Sequence, residues 1–165
     1  DQGSDQGSDQ GSDQGSDQAM TGWRLGYGIF PTKLYEVAEK LAVNIHSCVN
    51  ASAQFAAIEA LKGPQDCVQE MNNTFKKRAE IMFAKLNDLK GFKCQKPSGA
   101  FYCFPNINGT NKNSTEIQNI LLDELGVATV AGTSFGKFGE GYIRLSCANS
   151  LEAIEEAVSR MKTIF

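Results

Sequence analysis

The stripe running from Val68 to Leu89 sets the tightest limit on how this chain can fold. Val68, Met71, Phe75, Ala79, Met82, Leu86 and Leu89 recur in steps of three and four, the spacing that puts apolar side chains on one face of an α-helix. Pro64 stands where such a helix can begin and Gly91 where it can close. A helix of that extent would be a rod of about 30 Å, at ~1.5 Å per residue. It predicts a layered fold in which one long helix is solvated on one face and can bridge two subdomains.

Shorter patterns surround the rod. Leu34, Val37, Ala38, Leu41, Ala42 and Ile45 form a second helical stripe. Phe55, Ile58 and Leu61 form a third, with Asn50 or Ser52 as its cap and Gly63 as its stop. Upstream, residues 23–30 are aromatic and apolar, and Gly22, Gly26 and Gly28 lie among or beside them. They read as a buried strand whose backbone closely approaches a neighbour. After Gly91 the period changes. Residues 92–95 and 100–104 read as strands flanking the turn Pro97-Ser98-Gly99, and 127–130 and 142–147 as two more. Asn113 with Glu116 resembles a cap pair opening a helix with Ile117, Ile120, Leu121 and Leu125 on its apolar face. Asn149 with Glu152 is expected to open the last helix, which carries Leu151, Ile154, Val158 and Met161. The resulting order predicts an α/β domain, a small sheet covered by helices.

Residues 1–18 are four copies of D-Q-G-S followed by Asp17 and Gln18, with no apolar side chain. Such a segment buries nothing to offset its ordering entropy, so it reads as a disordered or artefactual leader. Residues 1–18 hold five aspartates of a chain whose net charge is -3, so the remainder is faintly basic. That balance predicts no general affinity for nucleic acid or membranes. No apolar run approaches the ~20 residues of a membrane span. Cys48, Cys67, Cys94, Cys103 and Cys147 are odd in number and none forms a C-x-x-C pair; free thiols in a reducing, cytoplasmic setting are expected. Four N-x-[ST] sequons, at Asn50, Asn72, Asn108 and Asn113, stand without a secretory signal.

The chain carries no metal-ligand cluster, P-loop or G-x-S-x-G elbow, and its single histidine, His46, reads as a helix-end residue. Two arginines stand out instead. Arg24 lies inside the apolar run 23–30. Strand alternation puts Arg144 on one face with Tyr142 and Ser146, opposite Ile143 and Leu145. A guanidinium in apolar company needs an anion, because burying its charge alone is costly. Its fork suits a carboxylate or a phosphate. On periodicity alone, an internal salt bridge to an Asp or Glu is the favoured account of each arginine, ahead of a ligand.

Five motifs in order carry a resemblance. Residues 19–26, A-M-T-G-W-R-L-G, resemble the segment after the cofactor lysine of class I aminotransferases of the aspartate aminotransferase type, where the pattern reads S-K-x-Y-A-M-T-G-W-R-L-G. Gly63-Pro64-Gln65-Asp66 is similar to the family's turn between helices, and Pro97-Ser98-Gly99-Ala100-Phe101-Tyr102 to its P-x-G-A-F-Y strand. Gly132-Thr133-Ser134-Phe135-Gly136 resembles its G-S-x-F-G loop, and Tyr142-Ile143-Arg144-Leu145-Ser146 its Y-x-R-[IL]-S strand. The resemblance spans residues 19–165. It implies the C-terminal portion of the fold-type-I architecture: residues 19–30 a remnant strand of the large cofactor domain, 31–90 a helical connector with the long interdomain helix, and 91–165 the small domain. It implies an enzyme exchanging an amino group between an amino acid, aspartate first, and a 2-oxo acid through pyridoxal 5'-phosphate. Arg24 would bind the cofactor phosphate and Arg144 the substrate α-carboxylate. A homodimer is implied, with residues 50–54 near the subunit boundary.

The departures are as informative. The Schiff-base lysine of the pattern aligns with Ser16, and a serine neither forms an imine nor serves as the amine base. No catalytic residue is therefore assigned, and the chain alone is expected to be inactive. Ala131 replaces the proline usual before the G-S-x-F-G loop. Two other readings stand beside the enzyme fragment: a non-catalytic dimerisation or scaffold module, and a related synthase or decarboxylase of the same fold type.

Overall fold

The computed structural model describes residues 20–165. Ser16 and the repeat at 1–18 lie outside the described residues. Two compact units divide at Gln69 and Glu70.

The first unit opens with a 3₁₀ turn, Thr21–Trp23. Residues 24–30 follow without regular structure, which corrects the strand expected at 23–30. Extended apolar residues become a strand only when a neighbour completes their hydrogen-bond ladder, and among the described residues no strand pairs with them. Helix α1, Thr32–His46, ends at the histidine as expected, and α2, Ala51–Lys62, begins at Asn50, whose side chain accepts a hydrogen bond from the Ala53 amide. The apolar stripe of α1 is real, but none of its residues is buried. Leu34, Val37, Leu41 and Ile45 are all exposed. Among residues 20–69 only Ala53 is buried.

The long helix α3, Asp66–Asn87, begins two residues after Pro64. Its apolar face carries Ala79, Met82 and Leu86 into the core of the second unit. Three strands, β1 (Tyr102–Cys103), β2 (Val130–Ala131) and β3 (Ile143–Ser146), form an antiparallel sheet in the order β1-β3-β2. They are shorter than expected. The run at 92–95 contributes only an isolated bridge, Lys93 to Asn106. Ala100 takes a left-handed φ of 57° and breaks extension before β1, while Pro105, lacking an N–H, follows it.

Helix α4, Ser114–Asp123, starts in the expected capping box: the Asn113 side chain accepts from the Glu116 amide and the Glu116 carboxylate accepts from the Asn113 amide, each at 2.9 Å. Helix α5, Leu151–Met161, is capped by Ser150 rather than by Asn149. The Ser150 hydroxyl accepts from the Ala153 amide at 3.2 Å, so the cap sits one residue later than the sequence reading placed it. Ile117 and Leu121 of α4 and Ile154, Val158 and Met161 of α5 pack with Leu86, Ile143 and Leu145 around the sheet.

This distribution predicts two unlike responses to truncation. Leu86→Ala removes a fully buried side chain and should lower stability by about 2–5 kcal/mol. Leu41→Ala, at an exposed position of α1, should change it by no more than about 0.5 kcal/mol. Urea unfolding followed by circular dichroism measures both, and comparable losses would contradict the burial pattern.

Candidate functional site

Arg144 is built from the sheet outward. β3 is the central strand, so its two faces meet different surroundings. Ile143 and Leu145 point into the core, while Arg144 and Ser146 lie half-buried on the opposite face. Arg144 pairs across to Val130, and Tyr102 pairs with Ser146. Tyr102 is thus the diagonal neighbour of Arg144 on the same face, a separation that long side chains readily span. The guanidinium carbon lies 4.4 Å from the centre of the Tyr102 ring and 4.6 Å from that of Phe135. Among the described residues no carboxylate forms an ion pair with it; the four salt bridges there are Lys85–Glu155, Lys96–Glu80, Arg160–Glu156 and Lys162–Asp88.

Phe135 reaches Arg144 through a tightly folded loop. β2 runs directly into a 3₁₀ turn, Gly132–Phe135, and a second turn, Lys137–Gly139, returns the chain to β3. The two turns meet backbone to backbone at Gly132 and Gly139. A methyl group on either glycine would strike the carbonyl oxygen of the other, so both positions exclude a side chain. The Gly132 amide donates to the Tyr142 carbonyl at 2.8 Å and closes the loop.

Glu140, the nearest acidic residue in sequence to Arg144, is held elsewhere. Its Oε1 accepts from the Ser114 amide and the Gly141 amide, both at 2.9 Å, and from the Ser114 hydroxyl at 3.1 Å. The Ser114 hydroxyl in turn accepts from the Gly141 amide at 2.9 Å and the Tyr142 amide at 3.2 Å. Bonds from the Ser114 and Gly141 amides hold the Glu140 carboxyl below the usual carboxylate range. The sequence reading missed this brace. Its one visible signal is a Ser directly after a helix-capping Asn, which places a hydroxyl in the first turn of α4.

Arg24 occupies a different setting in the first unit. It follows the 3₁₀ turn in the left-handed conformation, φ 53° and ψ 46°, and is exposed rather than enclosed in an apolar strand as its sequence neighbours suggested. Its Nη1 donates to the Thr21 carbonyl at 3.3 Å. It lines an open cleft of about 980 Å³ with Trp23, Tyr27, His46, Ser47 and Asn50. Ser47 also has a left-handed φ, 62°. Two non-glycine residues in that sparsely populated region border one cleft, each at a cost of order 1 kcal/mol. Among the described residues the Arg24 guanidinium meets a carbonyl acceptor and no carboxylate.

A half-buried arginine on the Y-x-R-[IL]-S strand, an arginine-lined cleft after T-G-W and a G-x-x-F-G loop over the sheet together define one protein class. The model of the aminotransferase class I and II family matches residues 16–161, and the chain belongs to that family. An aspartate aminotransferase of Pyrococcus horikoshii is 39% identical over 146 residues, 87% of this chain and 37% of that protein. The solved structure of an aromatic aminotransferase from Pyrococcus horikoshii OT3 superposes with a TM-score of 0.84 at 39% identity, covering 88% of this chain and 39% of that one. An alanine aminotransferase from Pyrococcus furiosus gives 0.82 at 39% identity, covering 90% and 40%. The chain therefore spans somewhat over a third of the length of the relatives it matches. No helix among the described residues is long and apolar enough to cross a membrane.

Glu140 supplies a pH test. A folded carboxyl held below its unfolded value of ~4.3 stabilises the protein above that value, and the contribution is lost as pH falls through the folded value. Glu140→Gln should therefore flatten the acid limb of a plot of stability against pH while the slope from Glu80 and Glu152, also held low, remains. Unfolding midpoints measured from pH 7 to 3 decide it. An unchanged acid limb would contradict the brace.

Proposed function

We propose that the complete protein is a pyridoxal-phosphate-dependent aminotransferase and that this chain supplies two of its anion-binding groups. The observation that carries the reading is the Arg144 guanidinium, half-buried and without an acidic partner among the described residues. In this reading Arg144 grips the α-carboxylate of the amino acid and of the 2-oxo acid. Its fork provides two parallel N–H donors, which fix the orientation of the carboxylate as well as its position. Fixing the carboxylate orients the Cα–H bond that must be broken. Arg24 holds the cofactor phosphate, supported by its open cleft and by the absence of a carboxylate partner among the described residues. When bound, the cofactor supplies an electron sink for the carbanion formed at Cα.

The relatives act, by name, on aspartate, aromatic amino acids and alanine. Aspartate is proposed as the donor here because the motifs follow the aspartate type. A homodimer is proposed in which residues 50–54 lie near the subunit boundary. The exposed stripe of α1 supports a covering surface, whether from the rest of the protein or from a partner.

Ser16 stands at the position aligned with the Schiff-base lysine. That serine favours a second reading for this chain taken alone, a non-catalytic module. Mixed with cofactor, aspartate and 2-oxoglutarate, the chain should show no transamination above that of free cofactor. Joined to the upstream portion of a relative that provides the lysine, it should turn over. There Arg144→Lys should lower kcat/KM by roughly 10- to 150-fold, the equivalent of ~1.5–3 kcal/mol for a charge-assisted contact, with KM rising for both substrates. Arg24→Gln should weaken cofactor retention and leave KM nearly unchanged. Turnover by the chain alone, or wild-type kinetics in Arg144→Lys, contradicts the assignment.

A further inference from the structure

Arg144 has solved a problem that the proposed function leaves open. A cation on a half-buried face needs stabilisation before any substrate arrives, yet an internal carboxylate would occupy the very donors that a substrate must use. We propose that Tyr102 and Phe135 are positioning residues that hold the guanidinium through cation–π contacts and leave its N–H donors free. The inference rests on the reading of Arg144 as the carboxylate-binding group.

The geometry carries it. The guanidinium carbon lies 4.4 Å from one ring centre and 4.6 Å from the other, well inside the ~6 Å over which a ring quadrupole attracts a cation. A ring face accepts positive charge without consuming an N–H donor in a strong hydrogen bond. The five donors of the planar fork therefore stay available for an incoming anion.

Neither ring stands alone. Tyr102 lies against Phe101, centres 4.5 Å apart, and Phe101 against Phe75 of α3, 5.8 Å apart. On the other side Phe135 meets Phe104 edge-on at 6.3 Å, and Phe104 stacks on Tyr142 at 5.2 Å with only 5° between the planes. Arg144 thus sits within a continuous row of aromatic contacts, and a second guanidinium, that of Arg78, lies over Phe75 at its far end, 5.8 Å from the ring centre. The row is anchored in the long helix at one end and at the start of β3 at the other. The Gly132 and Gly139 contact fixes the loop that delivers Phe135. Restricting the guanidinium in advance lowers the ordering cost that a flexible arginine would incur on binding.

The test uses arginine modification of the full chain by phenylglyoxal, followed residue by residue by mass spectrometry, with succinate as the carboxylate probe and sodium chloride at matched ionic strength as control. In the wild type, succinate should slow modification of Arg144. Phe135→Leu and Tyr102→Leu should each speed the modification without succinate. Each should also raise the succinate concentration for half-protection by roughly 2- to 30-fold, the range expected for one lost cation–π contact. Phe135→Tyr keeps a ring and should behave as wild type. Phe138→Leu, which alters a largely exposed ring of the same loop, should also change nothing. Far-UV circular dichroism verifies folding, and Phe135→Tyr, with the ring retained, serves where Tyr102→Leu fails to fold: wild-type protection there supports the inference, and loss of protection overturns it. If succinate protects Arg144 equally in wild type and Phe135→Leu, the positioning role is wrong and the carboxylate reading survives. If succinate does not protect Arg144 in the wild type, the reading beneath it fails, and the inference goes with it.

Discussion

β3 must satisfy two environments within four residues. Ile143 and Leu145 seal the sheet against α3, α4 and α5, while Arg144 and Ser146 look the other way. Because the side-chain period of a strand is two, a slip of one residue would drive the guanidinium into the core and bring Ile143 and Leu145 out of it. The apolar residues therefore fix the position of the charged one. Their burial holds the register, and the register puts Arg144 on the face shared with Tyr102. Pairing on both sides, with β1 and with β2, removes any freedom to shift.

The surrounding loops serve the same end. The Ser114 and Glu140 brace ties the first turn of α4 to the residues just before β3. It also engages the carboxylate nearest to Arg144 in sequence. The paired glycines at 132 and 139 let two turns meet where any side chain would force them apart, and the result is a ring laid over the arginine. An acidic side chain is used for structure, and aromatic ones are used for charge.

Much of this was legible in the sequence. The five α-helices among the described residues follow apolar helical stripes, and the caps at Asn50 and Asn113 are visible as residue types at fixed offsets. The face of Arg144 follows from strict alternation in 142–146. Strand lengths were not legible, because a ladder depends on what lies alongside: the left-handed Ala100 and the missing N–H of Pro105 curtail β1. Residues 23–30 have strand-like composition but no strand neighbour among the described residues, so Arg24 emerges exposed in a turn. The aromatic row escaped notice because its members are spread over 75–142 and meet only through the sheet register and the loop. Ser150 displaced Asn149 as a cap because both residue types cap well, and the one immediately ahead of the first helical residue prevails.

The most direct measurement is a crystal structure of the chain grown with a dicarboxylate such as succinate. One carboxylate group should lie edge-on against the Arg144 fork, with two N···O distances of about 2.7–2.9 Å and the Tyr102 and Phe135 rings still in contact with the guanidinium. An Arg144 side chain turned away to an acidic residue of its own chain, with succinate bound elsewhere, would contradict the carboxylate-binding role of Arg144.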